Sequence, residues 1–204
     1  MVKIPKKDQL ISSALLSFTG LLLLLQSSCT PFYISKNYGE PVVYGEGRHP
    51  GVDFEISNGT PIIAAADGTD VWLSNPCRGQ WWCGGYTVWL RHGDYFHTGY
   101  SHLSKVYVHH GQSLSRGQFI GLSGASNNGF AHLHFGVIKI GGSGRYYSNT
   151  YNPNDFWLDG KMQCFEPTKD YSQNSEKRLT LPVACGDYAK KLKKEGKEKE
   201  PVLK

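Results

Sequence analysis

The sequence contains no Cys-x-x-Cys pair and no His-Glu-x-x-His segment. The first absence removes the thiolate knuckles that hold structural zinc. The second removes the helix on which two histidines and a glutamate base sit in helical zinc peptidases. There is no internal repeat, and no sustained 3.6-residue apolar period runs between residues 43 and 140. A helical core is therefore not expected there. The chain also lacks a strong charge of one sign over its middle. Its net charge is +5, but the positive excess lies at the two ends. From Cys29 onward there are 19 basic and 16 acidic residues, and residues 189–204 hold seven lysines and three glutamates of these. The segment 29–188 is left near −1, which gives no footing for nucleic-acid binding.

Residues 1–28 do not belong to a fold. Lys3, Lys6 and Lys7 make a basic start, an apolar run follows that is densest at Leu21–Leu25, and Ser27 and Ser28 precede Cys29. This is the layout of a secretory signal peptide, with an apolar core too short for a membrane span; an uncleaved anchor is the other reading. Export makes disulfides possible. With Cys29 set aside, Cys77, Cys83, Cys164 and Cys185 remain. Four cysteines allow three connectivities, and nearness in the chain favours Cys77–Cys83 and Cys164–Cys185.

Residues 29–42 read as a linker. Residues 43–140 carry short apolar runs punctuated by Gly, Asn, Asp and Pro. Examples are 61–66, 69–73, 86–91, 100–103, 119–122 and 132–138. These runs are of strand length and rich in β-branched and aromatic residues. The 24 glycines fit the turns such a fold needs. The expectation is a compact, mostly β, antiparallel domain. Residues 141–188 form a C-terminal extension packing on it, irregular and disulfide-tied from Gln163 to Cys185. Residues 189–204 have few apolar side chains and read as a basic, disordered tail.

Five residues carry the chemistry: His49, Asp53, His102, His132 and His134. In His132-Leu133-His134 the two imidazoles are two residues apart, so on a strand both face one side while Leu133 and Phe135 face the core. His49 and Asp53 lie in His-Pro-Gly-Val-Asp-Phe, where Pro50 and Gly51 disfavour a helix. Imidazole nitrogens with one carboxylate oxygen are a donor set zinc accepts. A catalytic zinc takes three protein ligands and leaves one position open. Five candidates for three places leave histidines free to act on a substrate. With no glutamate base in a helical motif, a histidine takes that part. His92, in Leu90-Arg91-His92-Gly93-Asp94, reads as structural, and His97, His109 and His110 as exposed turn residues.

His49-Pro50-Gly51-Val52-Asp53-Phe54 resembles the first zinc motif of the lysostaphin/LytM-type endopeptidases. Tyr100-Ser101-His102-Leu103 resembles their middle histidine motif, and His132-Leu133-His134-Phe135 their last. The order and spacing agree over about residues 43–140. The resemblance implies that His49, Asp53 and His134 hold one zinc ion, and that His102 and His132 are catalytic without binding it. It implies a β fold with a groove across it and a peptidoglycan substrate, cut in a cross-link or stem peptide. It also points to Tyr44 as the tyrosine that helps the oxyanion. Gly136 departs from the family, which commonly has an acidic or polar residue there. The insert from Cys77 to Cys83, with Trp81 and Trp82, falls where groove loops vary.

Gln26-Ser27-Ser28-Cys29 is similar to a bacterial lipoprotein processing site, although Gln26 stands where an aliphatic residue is usual. That similarity implies lipidation of Cys29 and attachment to a membrane of the cell envelope, the outer membrane in view of Thr30. A monomer is expected. Two other readings fit the same residues: a non-catalytic peptidoglycan-binding module or activator of another hydrolase, and an envelope lipoprotein that tethers membrane to wall.

Overall fold

A computed structural model describes residues 32–74, 84–142, 146–173 and 178–204. Cys29, the expected Cys77–Cys83 pairing and the tryptophans Trp81 and Trp82 lie outside the described residues.

Among the described residues, nine strands form one antiparallel sheet. They are β1 (Tyr33–Lys36), β2 (Val52–Glu55), β3 (Pro61–Ile63), β4 (Thr69–Ser74), β5 (Tyr86–His92), β6 (Phe96–Val106), β7 (Phe119–Ala125), β8 (Ala131–Lys139) and β9 (Thr150–Tyr151). The spatial order is β1-β2-β8-β7-β6-β5-β4, with β3 on β7 and β9 on β8, and β6 also pairing β8. The mostly β, antiparallel architecture expected from the sequence is what the chain adopts.

Period-two alternation sets the faces. In β5, Val88, Leu90 and His92 are buried between half-buried neighbours, and in β8 Leu133 and Phe135 are fully buried while His132 and His134 are partly open. One face of β2 and β8 thus packs Phe54, Leu133 and Phe135 into the core, and the other carries the polar residues. Each such fully buried aromatic or aliphatic side chain contributes about 1.5–3 kcal/mol of apolar burial.

The extension from residue 146 on is part of the same core. Trp157 stacks on Phe135 with centroids 5.8 Å apart and meets Phe54 edge-on at 6.3 Å. A 3-10 turn at Pro153–Asp155 sets up this packing; Asn152 caps it, and Asn154 accepts a hydrogen bond from the Trp157 indole at 2.9 Å. Cys164 and Cys185 are disulfide-bonded, as expected.

Two segments differ from the sequence reading. Within the expected linker, Tyr33–Lys36 forms the edge strand β1, paired with β2. The expected disordered tail is instead largely a helix, α1 (Gly186–Glu198), followed by a bridge from Leu203 to Val106. Leu192 is its one large buried aliphatic residue; it packs with Ile63, Phe119 and Ala184, and Tyr188 and Ala189 join the contact. Gly196 lies under Phe119 and Tyr107. Positions 188, 189, 192 and 196 form a stripe too narrow to stand out in a lysine-rich sequence. Tertiary packing holds the helix where intrinsic propensity would not. Asp187 in the first turn and Lys197 in the last also complement the helix dipole.

Candidate metal centre

The antiparallel register of β2 and β8 builds the centre. Asp53 lies directly opposite His134, and Glu55 opposite His132, so all four side chains project from one face. His134 Nδ1 is 2.8 Å from Asp53 Oδ1. His49 reaches in from the preceding turn: its Nε2 is 3.0 Å from His134 Nδ1 and 3.1 Å from Asp53 Oδ1. That turn is closed by hydrogen bonds from Gly39 N–H to His49 O and from His49 N–H to Glu40 O, each 2.9 Å.

The close approach of the two motifs requires glycine at position 51. A Cβ there would lie 2.4 Å from Phe135 O and 2.8 Å from His134 Cε1. The second such position is Gly85, at φ 68°, where a Cβ would lie 2.5 Å from Leu103 O and 2.8 Å from the His102 carbonyl carbon. That contact presses the turn before β5 against the backbone of His102.

His102 sits where β6 changes partner. Ser101 still pairs with His134 on β8, while Leu103 pairs with Ser123 on β7. His102 itself has φ 65°, a left-handed conformation that a non-glycine residue adopts at a cost of about 1–3 kcal/mol. The kink aims its ring at the centre: its centroid is 4.5 Å from that of His132 and 6.3 Å from that of His134.

Backbone carbonyls set the tautomers. The Nδ1–H groups of His49, His102 and His132 donate to Asn37 O (3.0 Å), Gly84 O (2.8 Å) and Phe130 O (3.0 Å). In the neutral tautomer that these bonds select, Nε2 is the accepting nitrogen of each ring. His132 Nε2 is 3.9 Å from Asp53 Oδ2. These orienting carbonyls carry no side-chain signature, so nothing in the sequence marks them.

Burial pushes His102 down to about 3, and the neighbouring imidazoles of His132 and His134 push the same way. Burial lowers His134 as well, against the pull of Asp53. Burial raises Asp53, but hydrogen bonds and charge from His134 and His49 outweigh it and hold the carboxyl well below the usual carboxylate range. Tyr44, raised to about 12 by burial and by the Asp53 charge, stays a neutral phenol.

His49, Asp53 and His134 thus bring two imidazole nitrogens and one ionised carboxylate oxygen within 3.1 Å of one another. Such a triangle suits a cation with bonds of about 2.0–2.2 Å, and the nitrogen–oxygen set is one zinc accepts. All five residues singled out in the sequence meet here. Gly136 leaves one side of His134 uncovered, since a Cβ there would lie 4.0 Å from His134 Nε2.

His92 does not join them. It is fully buried, with Nδ1 2.7 Å from Asp67 O and Nε2 2.8 Å from Thr98 Oγ1.

A groove of roughly 690 Å³ opens beside the centre. Asp53, Glu55 and His132 line it, with Ser35 and Lys36 on one side and Phe130 on the other.

The family model described as peptidase family M23 matches residues 47–150. Peptidoglycan DD-endopeptidase ShyA of Vibrio cholerae is 39 % identical over 113 residues, 53 % of this chain and 25 % of that protein. Murein hydrolase activator NlpD of Escherichia coli is 32 % identical over 108 residues, 53 % of this chain and 26 % of that protein. The chain spans about a quarter of the length of these two relatives. The catalytic domain of lysostaphin from Staphylococcus simulans superposes with a TM-score of 0.51 at 30 % identity, covering 61 % of this chain and 91 % of that one.

Proposed function

The chain belongs to peptidase family M23, and from that membership we propose that it is a zinc-dependent endopeptidase hydrolysing peptide bonds in peptidoglycan cross-links or stem peptides. The observation that carries this reading is the pairing of a three-residue donor cluster with two further imidazoles whose Nδ1 atoms are held by backbone carbonyls. A module that only binds or activates has no use for these two imidazoles.

In this reading His49, Asp53 and His134 hold one zinc ion. When bound, zinc supplies Lewis acidity at the scissile carbonyl and lowers the pKa of water to about 7. His102 and His132 share the roles of taking the water proton and of stabilising the developing charge, through their Nε2 atoms. Their Nδ1–H bonds to Gly84 and Phe130 keep the rings aimed and in the accepting tautomer. The Tyr44 phenol, raised to about 12 by burial and the Asp53 charge, keeps its proton at neutral pH and in this reading is the candidate donor to a developing oxyanion.

The reading extends to the cell. The leader and Cys29 suit export and lipid anchoring to an envelope membrane, with the protein acting as a monomer on the adjacent wall. The relative NlpD, an activator by name, supports a second reading in which the domain stimulates another wall hydrolase.

Digestion of purified peptidoglycan by the protein from residue 30 onward, with mass spectrometry of the products, separates the two. New peptide termini that vanish with a chelator and return with zinc establish the enzyme and name the bond. A folded protein that binds no zinc and releases no peptide sinks the enzymatic reading in favour of the activator.

A further inference from the structure

The edge strand β1 lies outside the family-matched segment 47–150, yet it supplies one side of the groove beside the metal centre. Its register is broken where it meets that groove. Tyr33 opposes Glu55 and Ile34 opposes Phe54, but Lys36, not Ser35, opposes Asp53. Without the irregularity, Lys36 would follow Ile34 onto the core face, beside Phe54 and Val52, which are fully buried. The extra residue instead turns Lys36 onto the face that carries Asp53, Glu55, His132 and His134. A bulge that re-aims one side chain next to a site is a common use of the device.

The result sets Lys36 opposite Asp53 and among the residues that line the groove. Lys36 is the one lysine or arginine among the groove-lining residues, and its ammonium makes no ion pair within 4.0 Å among the described residues. Glu55 lies one step further out on the neighbouring strand, opposite Tyr33 and His132, and does not pair with it. The Asp53 carboxylate is already engaged by His134 and His49. A lysine brought to this face by a bulge and left unpaired is positioned for an anion that the protein itself does not supply.

We propose that Lys36 forms a carboxylate-binding subsite of the groove, reading a free carboxylate on the substrate peptide next to the bond presented at the metal. This rests on the reading of the groove as a stem-peptide site. Peptidoglycan stem peptides suit it, because their acidic and terminal residues carry free carboxylates along an extended backbone. Amidation of such a carboxylate removes the charge and leaves the shape, so Lys36 would make the protein sensitive to the amidation state of the wall.

The test is binding, so that it does not depend on turnover. A synthetic stem tetrapeptide with free carboxylates, and the same peptide with each carboxylate amidated in turn, are titrated calorimetrically into the zinc-loaded His102→Ala protein. The expected result is that one amidation weakens binding about tenfold, the effect of one charge-assisted hydrogen bond. Lys36→Ala in the same background should abolish that preference, with zinc content and melting temperature unchanged, and Lys36→Arg should keep it. Equal binding of acid and amide, or no binding of either, overturns the subsite whether or not the wild-type protein hydrolyses peptidoglycan. A Lys36→Ala protein that weakens both peptides equally, or loses zinc, overturns it as well, since Lys36 would then serve the wall of the groove or the metal centre. Failure of the enzymatic reading appears separately, as wild-type protein that retains the acid preference but cuts nothing.

Discussion

Acidification should destabilise this protein through one histidine that takes no part in the metal centre. His92 is fully buried on β5. Its Nδ1–H donates to Asp67 O at 2.7 Å, so its Nε2, 2.8 Å from Thr98 Oγ1, must accept. Thr98 Oγ1 in turn lies 3.0 Å from Tyr100 Oη, which accepts the Ala65 N–H at 3.0 Å. A second proton on the ring would leave a charge in the core and turn the acceptor at Thr98 into a donor. Burial accordingly pushes His92 down to about 4. The unfolded chain, with an ordinary imidazole near 6.5, binds more protons between these values. Stability is therefore complete above pH 6.5 and is lost as pH falls toward 4. Going from pH 7 to pH 4.5, this one group should remove about 2.4 kcal/mol. The perturbation is His92→Gln, which does not titrate. At pH 7 the variant should be less stable, because the side-chain bonds to Asp67 and Thr98 are imperfectly replaced. By pH 4.5 the gap between the two proteins should have narrowed by about 2.4 kcal/mol. Urea unfolding of both proteins in a chelator, followed by tryptophan fluorescence, measures this, and contributions from the other histidines cancel in the difference. A gap that stays constant within about 0.5 kcal/mol across the two pH values would refute a buried, neutral His92.

Other outcomes follow from the same structure. His102→Ala should keep one zinc per chain and lose about 10²–10⁴ in turnover of peptidoglycan, because its ring contacts the centre without belonging to the ligand triangle; loss of zinc instead would show that the ligand set is misassigned. Gly51→Ala should lower zinc affinity by tenfold or more in a competition titration, since the new methyl must displace Phe135 O or the His134 ring. Leu192→Ala should cost about 2–4 kcal/mol in chemical unfolding if α1 is packed as a core element; no effect would mean that the helix is not docked in solution. Reduction of Cys164–Cys185, 21 residues apart, should cost about 3 kcal/mol by loop-closure entropy, read as a fall in melting temperature.

Much of the centre was legible in the sequence because it rests on short-range rules. Residues two apart on a strand share a face, so His132 and His134 had to project together. His49-Pro50-Gly51-Val52-Asp53 could not be helical, and the donor types alone named a class of metal. The turn-punctuated apolar runs between residues 43 and 140 were enough for an antiparallel sheet. What lay beyond reach was carried by the backbone or by distant partners. The carbonyls of Asn37, Gly84 and Phe130 orient three imidazoles, and a carbonyl oxygen belongs to every residue alike. The bulge that turns Lys36 toward the groove exists only in the pairing of β1 with β2. The left-handed kink at His102 exists only because β6 passes from β8 to β7 at that point. The helix at residues 186–198 looked like a charged tail because its buried stripe contains one leucine, and it holds only because Ile63 and Phe119 are there to receive it. The amino-acid sequence by itself determined the candidate donors, the strand faces and the class of fold, which follow from local geometry and residue chemistry. The tertiary structure alone decided tautomers, register and docking, because each depends on atoms far apart in the chain meeting in space.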